Sequence, residues 1–158
     1  MKKKFLIASC LFFIIGILFA SCKSVPRDLS ESLYVMIYDY ENNALKDVCV
    51  YEDGVEQGYS DIYGRYVLLK LKKGETELEF YKAGYEKVSI TVNKKDGQVL
   101  YVKLGSGSYY ARLSEKALDE KKLEAAEYYI EKALECESRK DYEYLKKVIQ
   151  KEIENEKI

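Results

Sequence analysis

From Ser108 to Ile158 the chain has neither glycine nor proline, whereas eight of its nine glycines fall between Gly54 and Gly107. Glycine and proline punctuate turns, so this partition divides the chain into a turn-rich part and an uninterrupted part. In the turn-rich part apolar residues alternate. Leu33, Val35 and Ile37 share one face of a segment whose other face is Tyr34, Met36 and Tyr38. Val48 and Val50 flank Cys49, and Val67, Leu69 and Leu71 follow a turn at Asp61 to Gly64. Leu78 and Phe80 alternate with Glu77 and Glu79, and Val88, Ile90 and Val92 with Lys87, Ser89 and Thr91. Leu100, Val102 and Leu104 close the series. Period-two patterns broken by Gly, Asn and Asp about every ten residues predict a small antiparallel β-sandwich over residues 33–104. A segment of that size just supports a core of its own.

Past the last glycine the period changes to that of helices. The spacing predicts helices over about Tyr109–Asp119, Lys122–Glu137 and Asp141–Glu156. Their apolar stripes are Tyr110, Leu113 and Ala117, then Leu123, Ala126, Ile130, Ala133 and Leu134, then Leu145, Val148, Ile149 and Ile153. Gly105-Ser106-Gly107-Ser108 reads as a flexible joint, with Ser106 or Ser108 as N-cap. The expected fold class is α+β, a sandwich over 33–104 followed by a helical unit over 105–158.

The chain begins differently. Lys2, Lys3 and Lys4 precede a run, Phe5 to Ala20, that is apolar apart from Ser9. The run falls short of the about 20 residues a bilayer span needs and suits the apolar region of an export signal. Leu18-Phe19-Ala20-Ser21-Cys22 resembles the lipobox of bacterial lipoproteins, with Phe19 where an aliphatic residue is usual. That resemblance implies lipidation of Cys22, removal of residues 1–21 and a membrane-tethered chain. The competing reading is an uncleaved signal anchor with Cys22 a bystander thiol. Residues 22–32, polar and holding Pro26, read as a tether reaching at most about 35 Å. Residues 1–21 hold three of the 26 basic residues and none of the 27 acidic ones, so a chain starting at Cys22 has a net charge near −4. That balance argues against nucleic acid and against a polybasic grip on anionic lipid. The absence of histidine excludes a histidine-based acid/base catalyst, triad or zinc site.

Ala44-Leu45-Lys46-Asp47-Val48-Cys49-Val50, Ser60-Asp61-Ile62-Tyr63-Gly64-Arg65-Tyr66 and Ala83-Gly84-Tyr85 resemble, in order and spacing, the motifs of carboxypeptidase regulatory-like domains. PEGA domains are similar too, without the PEGA residues themselves. The resemblance implies a seven-stranded transthyretin-like sandwich serving as an accessory or interaction module, without the carboxypeptidase zinc domain. Asp61 is expected to bond backbone amides in its turn and Gly64 to take positive φ. Tyr110, Leu113, Ala117, Leu123, Ala126, Ile130 and Ala133 fall where a tetratricopeptide repeat places its packing residues, with Ser114 at the usual glycine. The alternative is a generic three-helix hairpin. One repeat cannot bury itself fully, so the unit either docks on the sandwich or accepts a partner.

Sixteen tyrosines and no tryptophan give the chain its aromatic character. Tyr34, Tyr38 and Tyr40, extended by Tyr51, form a candidate binding face. The plainer reading makes that face the seat of the helices with phenols at its rim; the sharper makes it an exposed surface for a protein or glycan. Cys49 and Cys136 read as two free thiols, a bridge being the alternative an oxidising compartment would permit. Asp53 and Asp61 lack the dense ligand run of a calcium loop, and Glu75, Glu77 and Glu79 read as a solvated strand face. No catalytic residues, metal or cofactor are expected. The expected role is a non-catalytic adaptor in the bacterial cell envelope, lipid-anchored at the outer membrane and binding a protein partner. The alternative is a glycan- or peptidoglycan-binding lipoprotein.

Overall fold

The computed structural model describes residues 32–69, 74–93 and 98–156. Seven strands come first: β1 Ser32–Asp39, β2 Cys49–Glu52, β3 Val55–Tyr59, β4 Arg65–Leu69, β5 Glu75–Tyr81, β6 Val88–Asn93 and β7 Val99–Leu104. Three helices follow, α1 Gly107–Asp119, α2 Leu123–Cys136 and α3 Lys140–Glu156. The chain is α+β, as its glycine partition predicts. Cys22 and Leu71 lie outside the described residues, and Ser32, assigned to the tether, is the first residue of β1.

The strands form two sheets, ordered β4-β1-β7 and β3-β2-β5-β6. Cross-strand pairs are antiparallel except one: β7 runs parallel to β1. After β6 the chain crosses from the second sheet and re-enters the first at the end where β1 begins. β7 therefore has to run beside β1 in the same sense.

Leu33, Val35 and Ile37 face the second sheet and meet Val48, Val50, Leu78, Phe80, Val102 and Leu104 in one core. β4 departs from expectation. Val67 and Leu69 point out, while Tyr66 and Leu68 point in. Partners opposite each other share a face. The register pairs Tyr66 with Val35 and Leu68 with Leu33, so β4's facing follows β1 rather than its own apolarity.

The Asp61 turn forms as its residues predict. Asp61 Oδ1 accepts from the Tyr63 and Arg65 amides at 2.8 and 2.9 Å. Gly64 has φ +70°, and a Cβ there would lie 2.3 Å from the Ile37 carbonyl oxygen. Only glycine fits, because Ile37 N–H donates to Gly64 O at 2.8 Å and draws the turn against β1.

In the helical unit Ala126, Ile130 and Ala133 are fully buried against Tyr110, Ala117, Tyr142 and Ile149. Ser114 is buried, and its hydroxyl donates to the Ala126 carbonyl at 2.7 Å, tying α1 to α2. Leu113, Leu123 and Leu134 are half-buried.

The expected flexible joint is instead a packed junction. Glu86 N–H donates to Gly105 O at 2.8 Å and Gly107 N–H to Gly84 O at 3.0 Å, so residues 84–86 and 105–107 form a short ladder. Glu86 Oε1 accepts from Gly105 N–H at 2.7 Å. Ser106, not Ser108, caps α1, accepting from Tyr109 N–H at 3.1 Å. The glycines are small here because neighbours crowd them: Gly105 lies under the Tyr110 ring, and Gly107 lies against Ala133 and Tyr142.

Candidate functional site

The helices leave both outer sheet faces uncovered. They sit at the end of the sandwich, against the turns after β1 and before β6, where Glu41 pairs with Arg112 and Tyr85 bridges to Ser106. The tyrosine face is thus not the seat of the helices.

On the sheet β4-β1-β7, alternation sends nine side chains outward besides the buried Ser32: Arg65, Val67 and Leu69 from β4, Tyr34, Met36 and Tyr38 from β1, and Val99, Tyr101 and Lys103 from β7. The registers line them up in rows, Val67–Tyr34–Val99 and Arg65–Met36–Tyr101, with Tyr38 beside Lys103. An outer sandwich face is ordinarily polar. Here Leu69 is 50% exposed, Val99 47% and Tyr101 70%. A contiguous apolar surface of this kind is a candidate interaction site. A shallow depression of about 300 Å³ between β1 and β4 includes Tyr34, Met36 and Val67 in its lining.

The nine include two cations and no carboxylate. Arg65 is held from below, its guanidinium 3.0 Å from Asp61 Oδ2 and over the Tyr63 ring. That ion pair and the two backbone amides hold the Asp61 carboxyl below its usual range, the Arg65 amide contributing most. Lys103 Nζ donates to the neutral Asn42 Oδ1 at 2.8 Å and keeps its charge uncompensated by that contact.

The four predicted tyrosines part company. Tyr34 and Tyr38 lie on this face. Tyr40 lies past the end of β1, in a turn where Asp39 Oδ1 accepts from the Glu41 and Asn43 amides, and its ring stacks on Tyr109 with centroids 5.1 Å apart. Alternation ends with the strand, so Tyr40 serves the junction. Tyr51 lies on the outside of the other sheet, because β2 belongs to the opposite layer. Periodicity within a strand says which residues share a face but not which sheet the strand joins. Val67 and Leu69 were missed because β4 is apolar on both faces, so that only its pairing with β1 chooses which residues point out. Val99 and Tyr101 alternate with Leu100 and Val102, so their outward facing was legible, though neither was singled out.

The opposite outer face is different in kind. Glu75, Glu77 and Glu79 line it, and Glu79 pairs with Lys87 at 2.9 Å. Cys49 is buried there between its register partners Tyr59 and Tyr81. A hydrogen bond with Glu56, then one with Cys49, pushes the Tyr59 phenol up to about 12. Cys136 stands at the junction, its Sγ 3.7 Å from Gly105 O. Both cysteines are free thiols. Burial foremost pushes the Cys136 thiol up to about 11. At the same junction burial, and after it a hydrogen bond to Glu86, raises the Tyr110 phenol. Glu86, which the sequence reading did not single out, thus joins the sandwich to α1. Among the described residues no cluster of Cys, Asp and Glu is placed to hold a metal ion, and no helix is long and apolar enough to cross a membrane.

No protein-family model matches the chain, and no curated protein matches it significantly. Among solved structures, the Bacillus anthracis TIE protein is similar at a TM-score of 0.41 and 21% identity, over 48% of this chain. The match spans only 16% of that protein's length, a likeness too slight to carry argument.

Proposed function

We propose that this chain is a non-catalytic adaptor of the bacterial cell envelope, tethered through lipid on Cys22, that binds a partner protein through the outer face of the sheet β4-β1-β7. The observation that carries the reading is the exposed set Val67, Leu69, Val99 and Tyr101 around the half-buried Tyr34 and Met36. Charge depletion with exposed aromatics is the composition of an interface core. The polarity of the fold suits a tether. β1 begins at the end of the sandwich away from the helices, so a chain held there presents the helical unit outward, towards the periplasm or the cell surface. The carboxypeptidase regulatory-like reading of the sandwich rests on the motif order and on the Asp61–Gly64 turn. The tetratricopeptide-like reading of α1 and α2 rests on the small, buried Ala126 and Ala133.

Mass spectrometry of the natural protein tests the tether: a chain beginning at an acylated Cys22 is expected, and an intact N-terminus would overturn it. In-envelope cross-linking from position 101 tests the docking face. One reproducible partner, lost when Tyr34 and Met36 are both changed to Ser in a chain that still folds, is expected. An unchanged partner yield would overturn the face. The glycan reading draws on Tyr34, Tyr38 and Tyr101 sharing that face. Cosedimentation with purified sacculi, abolished by Tyr34→Ala and Tyr38→Ala, would replace the protein partner with peptidoglycan.

A further inference from the structure

β7 is an edge strand, and the phase of its hydrogen bonding fixes what its open side offers. Tyr34 N–H donates to the Gln98 carbonyl at 3.1 Å. In a parallel pair, successive residues turn their backbone groups to alternate sides. Leu100, Val102 and Leu104 therefore turn theirs towards β1, and Val99, Tyr101 and Lys103 turn N–H and C=O to the open edge. Among the described residues, no other hydrogen bond reaches those six groups.

The other three edges are protected or unsuited. β3 carries a register shift opposite it in β2 and Gly58 at φ +147°, which bend it away from a straight template. β4 borders the same apolar face, but its one cation, Arg65, is already paired with Asp61 at 3.0 Å, which leaves no free charge there for an incoming strand. β6 turns Ser89, Thr91 and Asn93 outward, a polar row. Among the described residues β7 alone joins a free backbone edge to the apolar face and to a cation without a carboxylate partner, Lys103.

We propose that the edge of β7 takes an extended segment of a partner protein as a fourth strand of the sheet β4-β1-β7, one that alternates apolar residues and sets a carboxylate beside Lys103. This deepens the adaptor reading and rests on it. Main-chain bonds at Val99, Tyr101 and Lys103 hold such a strand, and its outward side chains extend the rows ending in Val99 and Tyr101. Charge complementarity supplies the acid: the face has Arg65 and Lys103 and no carboxylate, and Arg65 is already paired. A second copy fits less well. Two-fold pairing of β7 with itself sets Val99 opposite Lys103 and sends the two Ser32 ends, with their tethers, to opposite poles.

The test is residue-resolved amide exchange by NMR on the full chain in detergent micelles. The probe is a synthetic peptide, Val-Thr-Val-Thr-Glu-Thr-Val-Thr-Val, which sets valines and the glutamate on one face, at millimolar concentration, with a lysine version as control. The glutamate peptide is expected to slow exchange at Val99, Tyr101 and Lys103 at least about tenfold, leaving Ser89 and Thr91 unchanged. Lys103→Glu should reverse the preference to the lysine peptide. Tyr101→Pro, which deletes an outward N–H and spares the bonds to β1, should abolish the slowing without loss of fold. Unslowed exchange, or slowing at β6, would overturn the proposal. Slowing that needs no peptide and grows with protein concentration would assign the edge to a second copy instead. A cross-linked partner that depends on Tyr34 and Met36, while the edge amides stay free, would keep the adaptor and remove the added strand.

Discussion

Gly105→Ala asks whether the two units are joined by a hinge or by a packed seam. The added methyl would lie 2.4 to 2.6 Å from the Tyr110 ring and hydroxyl, well inside van der Waals contact. Gly105 does not have positive φ, so alanine meets no backbone strain and the clash stands alone. Tyr110 cannot swing clear, because its ring lies 5.5 Å from that of Tyr109 and 6.5 Å from that of Tyr129. Overpacking of this kind costs about 1–3 kcal/mol. For a chain of this size that lowers Tm by roughly 2–12 °C. Thermal melts followed by circular dichroism would read the shift. Tyr110→Leu removes the obstructing ring, so the double variant should lose less than the two singles together, a coupling of about 1 kcal/mol or more. A Gly105→Ala protein as stable as the parent, or strictly additive losses, would refute the seam and restore the hinge.

Other consequences follow from single groups. Asp61→Asn should lower Tm at neutral pH, and the gap to the parent should close on acidification. The sign follows from the depressed carboxyl: its stabilisation is complete above the ordinary carboxylate pKa and is lost as pH falls through the lower folded value. Melts from pH 7 to pH 2 check this, and a gap constant with pH would contradict it. Cys136 should resist iodoacetamide at pH 8 in the folded chain, since a thiol titrating near 11 rather than 9.0 holds about a hundredfold less thiolate. The same raised pKa makes this group's contribution to stability fall as pH rises from about 9 towards 11. Rapid labelling at pH 8, or a mass showing a Cys49–Cys136 bridge, would count against the free, half-buried thiol.

Sequence periodicity carried the argument where one strand or helix decides the outcome. The inward set of β1, the Asp61–Gly64 turn and the stripes of α1 and α2 were all legible because each is a local pattern with a local cause. Three things were not. β4 is apolar on both faces, so only pairing with β1 could choose Tyr66 and Leu68 over Val67 and Leu69. Tyr51 seemed to extend the Tyr34 face, but sheet membership depends on which strands pair across long loops. Gly105-Ser106-Gly107 has the composition of a linker. Its glycines are there for close approach to Tyr110 and Tyr142, a reason visible only once α1 and α3 are packed.

The account turns on whether the outer face of the sheet β4-β1-β7 is covered in its native setting. Tyr101→Cys and Thr91→Cys place one thiol on each outer face, and maleimide labelling can be compared between intact envelopes and purified protein. The account predicts that position 101 is shielded several-fold in the envelope while position 91 labels equally in both. Equal labelling of position 101 in the two preparations would contradict it.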